Sequence, residues 1–156
     1  ACLVCVAGFF ASGMAGSGCL FCAQGTYAPL PRASTCMSCP AGYTSLVNAT
    51  ACLACIEGTY AMLLESSVCS YCDPGRYGPN KTATVCLACQ PGTIASGQGT
   101  TVCLDCLAGS ASNVNLTACD LCLPGTMAST SRMPACALCA AGQYVDAYNS
   151  TACRTC

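Results

Sequence analysis

Residues 52–60 read Cys-Leu-Ala-Cys-Ile-Glu-Gly-Thr-Tyr, and variants of this phrase recur along the whole chain. Each copy opens with a CxxC pair, and ten such pairs follow one another at nearly equal intervals. Self-similarity at a fixed period is the signature of a repeat architecture. The sequence therefore predicts one continuous repeat array over 1–156, interpreted as a section of a longer chain. The pairs begin at Cys2, Cys19, Cys36, Cys52, Cys69, Cys86, Cys103, Cys119, Cys136 and Cys153.

A glycine stands three residues after the second cysteine of every complete repeat. Such a position points to a backbone requirement, either a positive φ or a close approach of another part of the chain. The nine backbone-turn glycines are Gly8, Gly25, Gly42, Gly58, Gly75, Gly92, Gly109, Gly125 and Gly142. Two residues later an aromatic or large apolar side chain is common, and a small residue often follows it. No segment sustains a helical apolar period, so we expect short β-strands and turns with little or no helix.

The spacing of the pairs also suggests a longer period. Two intervals are one residue shorter than the others, and they start at Cys36 and Cys103, which lie four repeats apart. Cys2, Cys69 and Cys136 follow one another at the same four-repeat separation. A superperiod of four repeats is consistent with this spacing.

The composition argues against a conventional hydrophobic core. The chain has 20 Cys among 156 residues, no Trp, no His, and only 7% charged residues. A cysteine content this high is typical of a disulfide scaffold. The predicted fold class is therefore small and disulfide-rich, a linear solenoid or ladder of nine to ten repeats of about 17 residues.

The same composition narrows the function classes. Five Lys and Arg residues leave no basic stripe for a phosphate backbone, so nucleic acid is not an expected partner. An enzyme is not expected, because His is absent and the six carboxylates are spread among separate repeats. We expect no metal site and no cofactor other than covalent N-glycans. No apolar stretch is long enough for a membrane span in this segment.

Three chemistries can use CxxC pairs: zinc binding, redox catalysis and structural disulfides. Five zinc sites with four cysteines each would add about −10 of charge that five basic residues could not offset. Redox motifs begin a helix, whereas here each pair is followed by a turn. Structural disulfides are the favoured interpretation. From the residues alone, the second cysteine of a pair could bond the first of the next, or like could bond like, as Cys2–Cys19 with Cys5–Cys22.

The repeat, as in 52–60 or in Cys119-Asp-Leu-Cys122-Leu-Pro-Gly125-Thr, resembles the ephrin-receptor-like cysteine-rich repeat. It is also similar to the single-disulfide modules of tumour-necrosis-factor receptors. The resemblance implies that the second cysteine of each pair bonds the first of the next pair. Thr44 and Ala111 replace the aromatic residue, and the ligand-reading loops of those receptors have no counterpart here.

This implied ladder leaves Cys2 and Cys156 for partners outside the sequence. The implied bridges are Cys5–Cys19, Cys22–Cys36, Cys39–Cys52, Cys55–Cys69, Cys72–Cys86, Cys89–Cys103, Cys106–Cys119, Cys122–Cys136 and Cys139–Cys153.

Four of the five Asn residues begin an N-glycosylation sequon, each in the segment before a cysteine pair. Such acceptors indicate surface loops of a secreted protein. The predicted sites are Asn48, Asn80, Asn115 and Asn149.

These features predict an extracellular or cell-surface structural glycoprotein. We expect a rod-like array that builds or stiffens a fibre, stalk, flagellar hair or wall layer. Repetition along the array makes self-association the natural use of its apolar residues, with other extracellular glycoproteins as further partners. The alternative is a receptor or adhesin ectodomain that binds a protein or a glycan.

Overall fold

The structure is a computed structural model that describes residues 4–12 and 18–156. Within these residues the chain forms eighteen strands of two or three residues, which pair into nine antiparallel hairpins, and no helix. The predicted fold class, a disulfide-rich ladder of short repeats, is confirmed. The strands are β1 (Phe9–Phe10), β2 (Leu20–Phe21), β3 (Thr26–Tyr27), β4 (Met37–Ser38), β5 (Tyr43–Thr44), β6 (Leu53–Ala54), β7 (Thr59–Tyr60), β8 (Ser70–Tyr71), β9 (Arg76–Tyr77), β10 (Leu87–Ala88), β11 (Thr93–Ile94), β12 (Leu104–Asp105), β13 (Ser110–Ser112), β14 (Cys119–Leu121), β15 (Thr126–Met127), β16 (Ala137–Leu138), β17 (Gln143–Tyr144) and β18 (Arg154–Thr155).

Each hairpin joins one repeat to the next. The strand after the turn glycine pairs with the two residues inside the following CxxC, as β3 pairs with β4. A disulfide spans every hairpin and links the second cysteine of one pair to the first of the next. A two-residue strand pair is too short to be stable alone, so the disulfide and the neighbouring repeats must hold it. The bonds are Cys5–Cys19, Cys22–Cys36, Cys39–Cys52, Cys55–Cys69, Cys72–Cys86, Cys89–Cys103, Cys106–Cys119, Cys122–Cys136 and Cys139–Cys153.

The turn glycine occupies the third position of a four-residue turn in every repeat. Gly25 has a φ of 82°, and the N–H of Thr26 donates to the carbonyl of Ala23 at 3.0 Å. A positive φ at this position is the requirement of a type II turn, which favours glycine there and proline just before it. Pro74 and Pro91 precede Gly75 and Gly92 in this way. All nine of these glycines have a positive φ, which is one of the two backbone requirements that the sequence suggests.

From residue 26 onward, a second left-handed residue lies near the end of each connecting segment, three or four residues before the next cysteine pair. We call this position the second turn and the glycine position the first turn. The second turn holds Gly99 once and otherwise a residue with a side chain. Those residues are Arg32, Asn48, Glu65, Thr82, Leu116, Arg132 and Asn149, with φ between 57° and 65°.

Contacts divide the chain into two units, of which the first comprises Ala1–Tyr71 and Asn80–Val85. Within it, the N–H of Gly8 donates to the carbonyl of Ala28 at 2.9 Å. The carbonyl group of Asn48, in a second turn, fills the space where a Cβ on Gly8 would lie. The turn glycines of the next two repeats meet a second-turn carbonyl in the same way. Each of these first turns is therefore covered by a segment more than two repeats ahead.

The second unit comprises Cys72–Pro79 and Cys86–Cys156 and repeats this geometry. The N–H of Gly75 donates to the carbonyl of Ala95 at 2.8 Å, and a Cβ on Gly75 would meet the carbonyl of Asn115. A Cβ on Gly92 would likewise meet the carbonyl of Arg132. Close approach of the backbone is thus a second reason for glycine, in addition to φ.

Small side chains make up the interior. The second cysteine of the pairs from Cys5 to Cys122 is at most 3% exposed, and so is an alanine that follows the hairpin's first strand, as at Ala28 and Ala95. Where Ser45 takes the alanine position, its hydroxyl donates to the carbonyl of Thr26 at 2.9 Å. Each bridge closes a loop of about 15 residues, for which the chain-entropy model gives about 3 kcal/mol. The disulfides therefore replace a core of large apolar residues.

Within residues 4–12 and 18–156, no helix has the length and apolar character that crossing a bilayer would need. Nine disulfides are typical of a protein that folds in an oxidising compartment.

Candidate interaction surface

In five hairpins, the aromatic or large apolar residue after the turn glycine and an apolar residue inside the next CxxC form one structural feature. Tyr77 lies directly opposite Leu87 in its hairpin, and Ile94 lies opposite Leu104. Residues opposite each other in an antiparallel pair project from the same face. We call these the cross-strand apolar pairs. They are Phe10–Leu20, Tyr27–Met37, Tyr77–Leu87, Ile94–Leu104 and Met127–Ala137.

These pairs are not buried by the fold. Leu87 is 48% exposed, Met37 is 51% and Leu104 is 62%. Their aromatic or aliphatic partners are half-buried. Because the interior is filled by cysteine and alanine, the large apolar side chains have no place inside and remain at the surface.

Hairpins that depart from this pattern carry polar residues at the same register. Thr44 stands opposite Leu53, and Ala111 stands opposite Asp120. Ser70 lies opposite Tyr60. The apolar pairs therefore recur in most hairpins but do not form an unbroken series.

The four sequon asparagines all lie in connecting segments and are exposed. Asn48 and Asn149 occupy second turns, whereas Asn80 and Asn115 lie two residues and one residue before a second turn. Side-chain environment distinguishes the two second-turn asparagines. The atom nearest to a Cβ on Gly109 would be the Oδ1 of Asn149, whereas the three atoms nearest to a Cβ on Gly8 would be backbone atoms of Asn48.

A shallow pocket of about 340 Å³ lies in the second unit, beside the hairpin of β11 and β12. Tyr77, Val102 and Cys103 supply apolar surface to it. Asp105 and Arg132 stand at its polar side, where Nε of Arg132 lies 3.4 Å from Oδ1 of Asp105. Both side chains are about half exposed, so this ion pair contributes little to stability. The lining is completed by Gln90 and Thr93.

The first unit has a counterpart of this ion pair one four-repeat superperiod earlier. Ser38 and Glu65 stand there at the register of Asp105 and Arg132, and the Ser38 hydroxyl donates to a carboxylate oxygen of Glu65. Both contacts join the second residue inside a CxxC to the residue in the second turn of the next repeat. The register is the same, but the second-turn residue is an acid in one unit and a base in the other.

The remaining cysteines are the two without an implied bridge. Cys156 is free and exposed. Cys2 lies outside the described residues. Across residues 4–12 and 18–156, no group of three or more His, Cys, Asp or Glu side chains is arranged to hold a metal ion.

No protein-family model matches this chain, and no curated protein is similar to it. The resemblance to ephrin-receptor-like repeats therefore stays a prediction.

The second turn is the feature that sequence reasoning missed. Its residues are Arg, Asn, Glu, Thr, Leu and Gly, so no residue type marks the position. The available signal is register, because each stands three or four residues before a cysteine pair.

Proposed function

We propose that this chain is an extracellular structural glycoprotein whose disulfide-laddered repeats self-associate into a fibre, stalk, flagellar hair or wall layer. The observation that carries the proposal is the recurrence of half-exposed cross-strand apolar pairs at one register in five of the nine hairpins. Exposed apolar surface that repeats along a chain is typical of an interaction site.

A second copy of the chain is the occupant that fits this surface best. Neighbouring pairs such as Tyr77–Leu87 and Ile94–Leu104 lie one repeat apart and match the same two pairs on a second array. The net charge is −1 and only 7% of residues are charged, so electrostatic repulsion between copies is small. A low charge also requires another source of solubility, which glycans on Asn48, Asn80, Asn115 and Asn149 would supply. We also propose that the repeats are ephrin-receptor-like in kind.

The proposal is tested by replacing two apolar pair residues in the native, disulfide-bonded protein. Leu87→Ser with Leu104→Ser removes apolar surface from two neighbouring hairpins. Because both side chains are half exposed, the fold should tolerate the change. Sedimentation velocity is expected to show large assemblies for the wild type and predominantly single chains for the double variant.

Leu107→Ser with Leu123→Ser is the matched control. Leu107 is 75% exposed and Leu123 is 60% exposed. Each is the first residue of the four-residue turn that contains the turn glycine, and neither belongs to a cross-strand apolar pair. This control is expected to assemble like the wild type. Equal loss of assembly in both double variants would contradict the assignment of the surface, and a wild type that stays a single chain would contradict self-association.

Glycosylation is tested separately by peptide mass mapping of the secreted protein before and after enzymatic removal of N-glycans. Modified peptides are expected at the sequon asparagines, all of which reach the surface. Unmodified asparagine at all four positions would contradict the glycoprotein assignment.

The second candidate function is that of a receptor or adhesin ectodomain. The observation that favours it is the pocket beside Tyr77, because concave sites with both apolar and polar lining are typical of ligand binding.

A further inference from the structure

The pocket beside Tyr77 combines an apolar wall with a polar edge. Tyr77, Val102 and the Cys103 bridge supply the wall, and Gln90, Asp105 and Arg132 supply the edge. Its volume of about 340 Å³ lies at the lower end of the range for small-ligand sites. A ligand that fits must therefore be small, with one apolar face and one face rich in hydrogen-bonding groups.

The polar edge has hydrogen-bond donors and acceptors that are free to bind a ligand. The contact between Arg132 and Asp105 uses Nε and Oδ1. In the described part of the chain, the terminal nitrogens of Arg132 and the Oδ2 of Asp105 take part in no hydrogen bond. A guanidinium can only donate and a carboxylate can only accept. Together they match a pair of adjacent hydroxyl groups, which both accept and donate.

The backbone holds both residues in place. Arg132 occupies a second turn, where its N–H donates to the carbonyl of Cys106 at 2.8 Å and its own carbonyl abuts Gly92. Asp105 lies opposite Thr93 in the β11–β12 hairpin. The two side chains thus project from fixed points, which lowers the entropy lost when a ligand binds.

The charges at the pocket favour a neutral ligand. Asp105 and Arg132 neutralise each other, and no other charged side chain among the described residues lines the pocket. We propose that this pocket binds a neutral hexopyranose residue of a glycan, with the C–H face of the sugar on Tyr77 and two adjacent hydroxyls on Asp105 and Arg132. The site goes beyond the proposed structural role and does not depend on self-association.

The first unit offers an internal control. At the register of Tyr77, Gln90, Asp105 and Arg132 it has Phe10, Ala23, Ser38 and Glu65. Both amide and guanidinium donors are missing from that set. We therefore expect sugar binding in the second unit only.

The test is saturation-transfer NMR on the full chain, with its N-glycans removed enzymatically. The probes are the methyl glycosides of mannose, glucose and galactose, with N-acetylneuraminic acid as an anionic probe. Saturable binding of at least one neutral glycoside is expected, with a millimolar Kd in keeping with one small ligand on a shallow site.

Arg132→Gly and Glu65→Gly are the paired variants. Gly99 already occupies a second turn, so glycine preserves the backbone at either position. Arg132→Gly is expected to weaken binding by on the order of tenfold, the loss typical of charge-assisted hydrogen bonds, while Glu65→Gly leaves it unchanged. Gln90→Ala tests the site independently of the second turn and is expected to weaken binding too.

Binding of none of the neutral glycosides, equal Kd values for Arg132→Gly and the wild type, or preference for the anionic probe would each overturn the proposal. The source of the sugar is distinguished by repeating the measurement of assembly with glycosylated protein. Assembly that methyl glycoside disrupts identifies the glycans of a second copy. Assembly that it leaves intact assigns the site to glycans of other molecules.

Discussion

Within the residues that the structure describes, both turns of a repeat place one residue at a positive φ, yet they tolerate different residues. The first turn is always glycine, as at Gly92, whereas the second turn accepts residues as different as Arg132 and Leu116. The difference lies in what faces each Cα. At Gly92 the backbone of Arg132 fills the space a Cβ would need. At Arg132 the side chain points outward and is 60% exposed.

This contrast separates two free-energy costs of placing a side chain in a turn, one from the positive φ and one from steric contact. A positive φ alone costs an ordinary residue about 1–2 kcal/mol, which the second turns accept repeatedly. Close contact with another backbone segment adds a steric cost that only glycine avoids. At first turns such as Gly92, packing between repeats therefore adds a second restriction to the positive φ.

Loss of the disulfides is expected to remove both turns together. Reduction under native conditions should unfold the chain outright, because nine loops each lose about 3 kcal/mol of stabilisation. A metal chelator should leave the circular dichroism spectrum unchanged. Unfolding by the chelator alone would contradict the disulfide basis of the fold.

Three Gly→Ala variants measure the cost of the positive φ and the cost of the steric contact separately. Gly92→Ala incurs both the φ cost and the steric cost, so it should lower the free energy of unfolding most, by about 3 kcal/mol or more. Gly125→Ala meets only the φ cost, since nothing lies within 4 Å of its Cβ position, and should lose about 1–2 kcal/mol. Gly97→Ala meets neither cost and should be neutral or slightly stabilising. Denaturant unfolding of the oxidised proteins measures all three, and equal losses at Gly92 and Gly125 would show that packing is not decisive.

Replacing a second-turn residue by glycine should have the smallest effect on the free energy of unfolding. Arg32→Gly relieves the strain of a positive φ but increases the freedom of the unfolded chain. These terms oppose each other, so the free energy of unfolding should change by less than about 1 kcal/mol. A loss of several kcal/mol in the same denaturant assay would show that the Arg32 side chain is required for folding.

The sequence was sufficient to predict the ladder because its cysteines and glycines are fixed by covalent geometry and backbone clashes. Both requirements depend on residue type, so the positions that Cys22 and Gly25 occupy can be recognised in the sequence of every complete repeat. The second turn could not be predicted, because its backbone conformation comes from hydrogen bonds with a distant repeat. Asn48, for example, donates its N–H to the carbonyl of Cys22 at 2.9 Å.

The candidate surface was predicted only in part. Leucines inside CxxC and aromatics after glycine were each visible, but their pairing depends on hairpin register. That register places Tyr77 opposite Leu87. The pocket beside Tyr77 could not be foreseen, because Arg132 reaches Asp105 from more than one repeat away in the sequence.

Electron microscopy of the native, unreduced and glycosylated protein, together with its mass in solution, tests the proposed structural role most directly. We expect regular filaments or layers and a mass many times that of one chain. The double variant Leu87→Ser with Leu104→Ser should not form these assemblies. Isolated particles with the mass of a single glycosylated chain would contradict self-association and favour a receptor or adhesin.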